Sequence, residues 1–322
     1  MFPSGAPVRF RGPALLLAAC LPLFPSEALG AARDSTLARA SRLASEGKLE
    51  EALRLADGAV TARPASVPAQ RLYQDLMLRA GEREALVARY RRALAVRKNR
   101  KLRPVLNYML ARADPDPAER RKRLEAVFAP GKRHFWAAYD LVELCTAAGD
   151  LEAAEKYGKA ARDLRPGEAG VRNVLANVYL QAGKPEGAEK ELAEALRLQP
   201  RFPQARYNLG LVRASAKKYG EAAELFRKAA EENPKFAEAF NNLGHCLARL
   251  EKADEAIAAY RKAIALKPDY GSAYNNLAVV LYRRKDHWAA WKNLMLAEKH
   301  GHPVAPSFKR VLEKKLFPDR KP

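Results

Sequence analysis

Residues 237–270 read AEAFNNLGHCLARLEKADEAIAAYRKAIALKPDY, and this stretch contains two helical patterns joined by a turn. In its first half, apolar or small residues recur at the spacing of one helix face, at Phe240, Leu243, Gly244 and Leu247. A second stripe follows at Ala256, Ile257, Tyr260, Ala263, Ile264 and Leu266. Pro268 ends the second helix because proline has no backbone N–H to donate. Two such short helices cannot bury their apolar faces alone, so we expect similar neighbours.

The chain supplies these neighbours by repeating the pattern every 34 residues. Frames of this length start at residues 33, 67, 101, 135, 169, 203, 237 and 271. A small residue recurs in the second helix as Ala52, Ala154, Ala188, Ala222, Ala256 and Ala290, and a closing proline recurs as Pro64, Pro166, Pro200, Pro234 and Pro268. Glycine at the turn between the helices (Gly47, Gly81, Gly149 and Gly183) is typical of a left-handed backbone.

This 34-residue pattern of small residues, turn glycines and closing prolines resembles that of the tetratricopeptide repeat family. The resemblance implies an all-α fold, a right-handed α-solenoid of about eight 34-residue helix-turn-helix repeats over residues 31–304. We predict that residues 305–322 form a capping helix and a tail, with Ser307 as the N-cap of a helix over residues 308–317. We expect Trp288 and Trp291 to pack under this helix.

Frames two and three depart from the repeat pattern. In frame two, Leu86 stands where the small residue belongs and Lys98 replaces the proline. In frame three, Pro115 stands at the turn, and Arg120 and Val127 occupy the two small positions. The 34-residue period continues through both frames, but we expect their helices to pack less tightly.

Residues 1–30 have the pattern of an export signal. Arg9 and Arg11 supply positive charge, and the apolar run 14–24 is too short to cross about 30 Å of hydrocarbon. Small residues at 28–30 fit a signal peptidase site. Alternatively, the sequence Leu-Ala-Ala-Cys ending at Cys20 resembles a bacterial lipoprotein box, in which Cys20 would be lipidated. We therefore expect an exported protein, periplasmic or secreted, with an outer-membrane lipoprotein as the alternative.

No motif in the sequence indicates catalysis. A P-loop, a Gly-x-Ser-x-Gly elbow and a His-Glu-x-x-His zinc motif are all missing from the sequence. Cys145 and Cys246 lie three repeats apart, too far for the Cα separation of about 7 Å that a disulfide allows. We predict small buried thiols at both positions, and no enzyme activity, cofactor or metal site.

The positive charge of the chain is concentrated in two regions. Residues 67–134 carry 18 Lys and Arg against 7 Asp and Glu, and residues 283–322 carry 11 against 4, within a total net charge of +21. Such clusters favour acidic partners such as anionic lipid or another polyanion, although a solvated surface without a partner would look the same. The candidate residues, called the basic patch below, are Arg97, Lys98, Arg100, Lys101, Arg103, Arg120, Arg121, Lys122 and Arg123.

Asparagines recur on the first helices of the later frames, which line the concave groove in tetratricopeptide repeat proteins. A row of carboxamides can pair with both N–H and C=O groups of an extended peptide, and it resembles the asparagine ladder of O-linked N-acetylglucosamine transferase, whose catalytic domain has no counterpart here. A simpler interpretation is that the amides bond locally or to water. The candidate groove residues are Asn173, Asn177, Asn208, Asn242, His245 and Asn276.

Two functions follow as predictions. The first is a non-catalytic protein–protein interaction scaffold of the bacterial cell envelope, which binds an extended peptide or helix of an unidentified partner in its concave groove. The alternative is binding to a polyanion or an anionic membrane surface through repeats two and three and the C-terminus. An exported chain would not meet nucleic acid, so we do not expect that ligand.

Overall fold

The structure is a computed structural model that describes residues 35–128 and 134–317. These ranges contain seventeen α-helices and one 3₁₀ helix, and no strand occurs in them. The predicted all-α fold of repeated helix pairs is therefore confirmed. The predicted leader with Cys20, and the tail from Pro318 onward, lie outside the described residues.

The helices fall into two compact units, of which the first ends at Gly183 and the second begins at Lys184. The first unit contains α1 Ser35–Ser45, α2 Leu49–Ala62, α3 Val67–Arg79, α4 Arg83–Ala95, α5 Arg103–Arg112, α6 Pro117–Phe128, α7 Phe135–Ala147, α8 Leu151–Leu164 and α9 Ala169–Gln181. The second unit contains α10 Pro185–Leu198, α11 Pro203–Ser215, α12 Tyr219–Glu232, α13 Ala237–Arg249, α14 Ala253–Leu266, α15 Gly271–Arg283, α16 His287–Lys299 and α17 Pro306–Leu316. Among the described residues, no helix combines the length and the apolar character needed to cross a bilayer.

The small residues of the repeat let an aromatic ring of the second helix lie against the backbone of the first. A Cβ added to Gly210 would lie 2.7 Å from the Phe226 ring, and one added to Gly244 would lie 2.8 Å from the Tyr260 ring. Both rings are essentially fully buried. Since real Cβ atoms do not approach so closely, these positions require glycine for the two helices to pack at this distance.

The turn between the two helices of a repeat requires a left-handed residue. Gly47, Gly81 and Gly149 have φ of 82°, 81° and 78° in the first unit. In the second unit, the same frame position is held by Lys217, Glu251 and Lys285, with φ between 60° and 64°. Residues with a side chain adopt this conformation less readily than glycine does. The repeat therefore imposes the left-handed conformation at this position even where the residue is not glycine.

The third frame is irregular in the structure. Where Lys98 replaces the proline, the chain forms the 3₁₀ helix Arg97–Leu102, and α5 starts only at Arg103. α5 has 10 residues, whereas α3, α7 and α9 have 13 each. The first helix of frame three is therefore shorter than the first helices of frames two, four and five.

The last helix packs on the end of the second unit. Leu312 is fully buried, and the Phe308 ring lies 5.4 Å from the Tyr282 ring. The prediction that Ser307 is the N-cap is wrong. α17 starts at Pro306, with Ala305 at the N-cap and no side-chain hydrogen bond there. Proline is favoured at the first helical position because its missing N–H would have no partner in any case.

The two tryptophans of α16 both contact the residue after α17. Trp288 and Trp291 have ring centroids 5.5 Å and 6.0 Å from that of Phe317. Trp288 nevertheless remains 61% exposed, so the predicted packing under the helix covers only part of its ring. Cys145 and Cys246 are free and fully buried, as predicted.

Candidate functional site

In the second unit, asparagine side chains form one hydrogen-bonded row across three successive first helices. Asn276 Nδ2 on α15 donates to Asn241 Oδ1 on α13 at 3.2 Å, and Asn241 Nδ2 donates to its neighbour Asn242 Oδ1 at 3.3 Å. Asn242 Nδ2 then donates to the hydroxyl of Tyr207 on α11 at 2.8 Å. Asn241 is buried, whereas Asn242 and Asn276 are half-buried and reach the surface. We call these four residues the amide row.

The other candidates of the second unit lie beside this row or beneath it. Asn208, on α11, is only 7% exposed, so it is a packing residue more than a surface contact. His245 is half-buried on α13, with its ring 6.4 Å from that of Tyr219, over which Arg249 lies at 4.6 Å. Burial, together with the nearby Arg249 charge, lowers the pKa of His245, so the imidazole is neutral at pH 7.

Asn173 and Asn177 belong to α9 of the first unit and are both half-buried. They lie one helical turn apart and therefore share one face of the helix.

The first unit contains a buried ionic cluster that sequence reasoning missed. Arg71 Nη1 on α3 donates to Asp140 Oδ1 on α7 at 2.7 Å, and the hydroxyl of Tyr108 on α5 donates to Asp140 Oδ2 at 2.6 Å. Arg71 also donates to the Tyr108 hydroxyl. Arg112 lies 3.4 Å from Asp140 and 2.8 Å from Asp75. We call these five residues the ionic cluster; Arg71, Tyr108 and Asp140 are each at most 7% exposed.

Glu143, one turn after Asp140 on α7, is the least compensated acid near the cluster. It is half-buried and makes no hydrogen bond or ion pair within the described ranges. Burial and the charge of Asp140 raise its pKa to about 7, against the lowering effect of Arg71 and Arg112. A carboxyl group with this affinity for a proton is partly protonated at neutral pH.

A regular offset in frame position relates the amide row and the ionic cluster. Asn242 and Asn276 hold position six of their frames and bond to position five of the preceding frame, 35 residues earlier. Asp140 also holds position six, but it bonds to Arg71 at position five two frames earlier, 69 residues away. Tyr108 on the intervening α5 bonds to both residues, so the contact spans the frame between them. Charged residues at these inward positions could have indicated the cluster.

The structure divides the basic patch into two parts. Arg97, Lys98, Arg100, Lys101 and Arg103 are exposed on or directly after the 3₁₀ helix, and none of them has an ion pair within residues 35–128 and 134–317. The sequence between Glu84 and Asp114 contains nine Lys and Arg and no acid. This part of the patch is therefore uncompensated positive surface.

The other part of the basic patch has local partners. Arg120 donates to the carbonyl of Asp114 at 2.8 Å, and Arg123 lies 3.0 Å from the Asp114 carboxylate. Arg121 pairs with Glu125 and Asp150, and Lys122 lies 3.6 Å from Glu119. Arg121, Lys122 and Arg123 are thus paired with carboxylates, whereas Arg120 donates only to main-chain carbonyls. Among the described residues, no group of three or more His, Cys, Asp or Glu side chains is placed to hold a metal ion.

The repeats of the second half match models of a known family. One tetratricopeptide repeat model matches residues 173–235 and another matches residues 237–270. Residues 173–235 and 237–270 of this chain are tetratricopeptide repeats. The matched ranges contain the candidates on α9, α11 and α13, so these residues lie on first helices of recognised tetratricopeptide repeats.

Solved tetratricopeptide structures share the fold. A chain of the APC/C hetero-tetramer Cut9–Hcn1 is similar at 17% identity with a TM-score of 0.65; the match covers 94% of this chain but only 58% of that one. PilF from Pseudomonas aeruginosa is similar at 22% identity with a TM-score of 0.51, over 58% of this chain and 93% of PilF. At these identities, the likeness shows the fold alone. No significant match was found among curated proteins.

Tetratricopeptide repeats are interaction modules, and they are generally non-catalytic. Their stacked helices offer extended surfaces for a protein or peptide partner. This protein accordingly belongs to the protein–protein interaction scaffolds.

Proposed function

We propose that this protein is a non-catalytic scaffold of the bacterial cell envelope, which holds an extended peptide or a helix of a partner protein against its first helices. The envelope part of the proposal rests on the export pattern of residues 1–30. The binding part rests on the amide row, because it is a continuous polar surface made by three successive repeats.

The amide row is suited to an extended peptide because its internal bonds leave capacity for a ligand. Asn242 uses one N–H toward Tyr207 and one lone pair toward Asn241, which leaves it one N–H and one lone pair. Asn276 donates to Asn241, and its Oδ1 accepts no hydrogen bond within the described residues. The internal bonds also fix the orientation of each amide, so a partner backbone would meet donors and acceptors that are already aligned.

The test is capture of partners from envelope and cytoplasmic extracts by the wild-type chain and by an Asn242→Ala/Asn276→Ala variant. We expect a partner from the envelope extract that persists at high salt and falls at least tenfold with the variant, because two amide contacts at about 1 kcal/mol each are lost. Asn208 and Asn241 are left unchanged because they are buried. Replacing them would lower the stability of the fold, and that loss could be mistaken for a loss of binding.

The control for this test is Asn107→Ala, which removes an exposed amide from α5 in the other unit. This change should leave capture unaffected. A partner that comes only from the cytoplasmic extract would contradict the envelope location. Equal capture by the wild type and the double variant, with helix content unchanged, would show that the amide row does not bind.

A second candidate function is binding to an anionic membrane surface, and the uncompensated part of the basic patch favours it. Each Lys or Arg near an anionic surface contributes about 1 kcal/mol. Reversing Arg97, Lys98, Arg100 and Lys101 to Glu should therefore lower affinity for phosphatidylglycerol vesicles by well over tenfold. Binding should also weaken steeply with salt, since exposed charges are screened. Vesicle co-sedimentation measures both effects.

The matched control reverses four exposed cations of the second unit, Lys190, Lys228, Arg261 and Lys262. If both quadruple variants lose vesicle binding equally, total charge and not the basic patch is responsible. Phosphatidylcholine vesicles should bind neither the wild type nor the variants.

A further inference from the structure

A cavity opens in the first unit beside the irregular third frame. Its volume is about 460 Å³, within the range of roughly 300–1,000 Å³ of small-ligand pockets. Its walls come from the turn that enters α3, the turn that enters α7 and the end of α8. The lining residues are Ala65, Ser66, Val67, Pro68, His134, Phe135, Trp136 and Arg165.

The position of the cavity follows from the short α5. In a regular array, the first helix of frame three would stand between α3 and α7 along its whole length. Here α5 begins at Arg103, the second residue after the frame start at Lys101, and no residue of α5 lines the cavity.

The walls combine buried aromatic rings with one positive charge. Phe135 and Trp136 are 7% and 3% exposed, and their rings meet at 5.0 Å nearly edge to face. The guanidinium of Arg165 lies 4.1 Å from the Phe135 centroid and 5.2 Å from that of Trp136. These distances are those of cation–π contacts, which hold the guanidinium beside the two rings.

Arg165 is the only charged group among the lining residues, and no carboxylate forms an ion pair with it within the described ranges. His134 does not add charge: its Nδ1 accepts the N–H of Ala137 at 3.2 Å, and burial lowers its pKa. The starts of α3 and α7 add the partial positive charge of two helix N-termini. The Glu168 carboxylate, which is not among the lining residues, interacts with the Arg165 charge and offsets part of it. The lining itself supplies positive charge above an apolar floor.

We propose that this cavity docks an acidic peptide segment of a partner protein, with a hydrophobic side chain against Phe135 and a neighbouring Asp or Glu carboxylate paired with Arg165. A single guanidinium matches one carboxylate, whereas phosphate groups and lipid headgroups are held by several cations. The net charge of +21 makes acidic partners favourable in general. The site is separate from the amide row, which belongs to the second unit.

The probe is the peptide Ac-Glu-Phe-Glu-NH₂, with Ac-Gln-Phe-Gln-NH₂ and Ac-Glu-Ala-Glu-NH₂ as comparisons. Of the three tryptophans of the chain, only Trp136 lies in the first unit, so Trp288→Phe and Trp291→Phe leave its fluorescence as the local signal. Titration calorimetry on the same protein detects binding that leaves the fluorescence unchanged. We expect the acidic aromatic peptide to bind at least tenfold more tightly than either comparison peptide.

Arg165→Gln should weaken binding of the acidic peptide at least tenfold and abolish its preference over the glutamine peptide. Arg91→Gln removes the same charge from an exposed position on α4 and should change neither. Asn242→Ala/Asn276→Ala should also leave this binding intact, so failure of the amide row and failure of the cavity are distinguishable. Equal affinities for the three peptides, equal binding by Arg165→Gln, or no saturable binding up to about 10 mM peptide would each overturn the proposal.

Discussion

Replacing Asp140 with Ala is expected to destabilise the first unit by about 3–5 kcal/mol, the usual consequence of removing one partner of a buried ion pair. Asp140 accepts from Arg71 and Tyr108 and lies 3.4 Å from Arg112. Without it, Arg71 would stay at 4% exposure with its main counter-charge gone. Three first helices, α3, α5 and α7, would lose the contact that joins them.

The protonation of Asp140 determines the pH at which this effect is measured. Burial favours the neutral acid, but the charges of Arg71 and Arg112 and the hydrogen bond from Tyr108 outweigh it and lower the pKa of Asp140. A lowered folded-state pKa means that the stabilisation is complete above the unfolded value of about 3.9 and is lost as the pH falls through the folded value. At pH 7, the comparison with Ala therefore shows the whole contribution.

Urea unfolding at pH 7, followed by Trp136 fluorescence in the Trp288→Phe/Trp291→Phe background, measures the first unit by itself. The matched comparison is the variant Arg71→Met/Tyr108→Phe/Asp140→Leu. It replaces the three most buried side chains of the ionic cluster by apolar ones of similar size. It should recover most of the loss, because an apolar replacement leaves no buried charge unpaired. A change below about 1 kcal/mol for Asp140→Ala would mean that the cluster behaves like a solvated surface ion pair.

The periodic sequence was sufficient to predict the helix pairs because their determinants are local. Pro166, Pro200 and Pro268 each lie two residues beyond the last residue of a second helix. Gly244 could be placed at a close helix contact from its position in the frame, and the Tyr260 ring indeed lies against it. Such features depend on the backbone preference of one residue and on a neighbour at fixed spacing.

The candidate site could be predicted only in part, because side-chain partners depend on how successive frames stack. The sequence placed Asn242 and Asn276 on the same frame position, but nothing in it gave the bonds through Asn241 and Tyr207. For the ionic cluster, the substitution of Lys98 for proline signalled an irregular frame. That Arg71 on α3 reaches Asp140 on α7 across α5 is a tertiary consequence, and no local pattern encodes it.

Replacing Glu143 with Gln is expected to stabilise the first unit by about 1–2 kcal/mol at pH 8 and by no more than about 0.5 kcal/mol at pH 5. Gln has nearly the same shape as Glu but never ionises. Burial and the charge of Asp140 raise the pKa of Glu143 from 4.5 to about 7, so the folded chain resists the charge that this residue acquires at pH 8. The variant has no carboxylate at this position, so the free-energy cost of ionising it in the folded state disappears.

The sign of the effect follows from proton binding. Between about pH 4.5 and pH 7, the folded state keeps the proton on Glu143 while the unfolded state has released it. Wild-type stability from this residue therefore falls as the pH rises through that window and is fully lost above it. A tenfold change in proton affinity corresponds to about 1.4 kcal/mol, and because Glu143 is partly reached by water we expect less than the full shift would give.

The same Trp136 urea experiment at pH 5 and pH 8 decides this prediction, with Glu152→Gln as the control. Glu152 is exposed on α8 in the same unit, so its replacement changes the net charge equally without removing a buried carboxylate. The difference between the two variants should be several times larger at the higher pH. If Glu143→Gln shifts stability equally at both pH values, water solvates the carboxylate in the folded state.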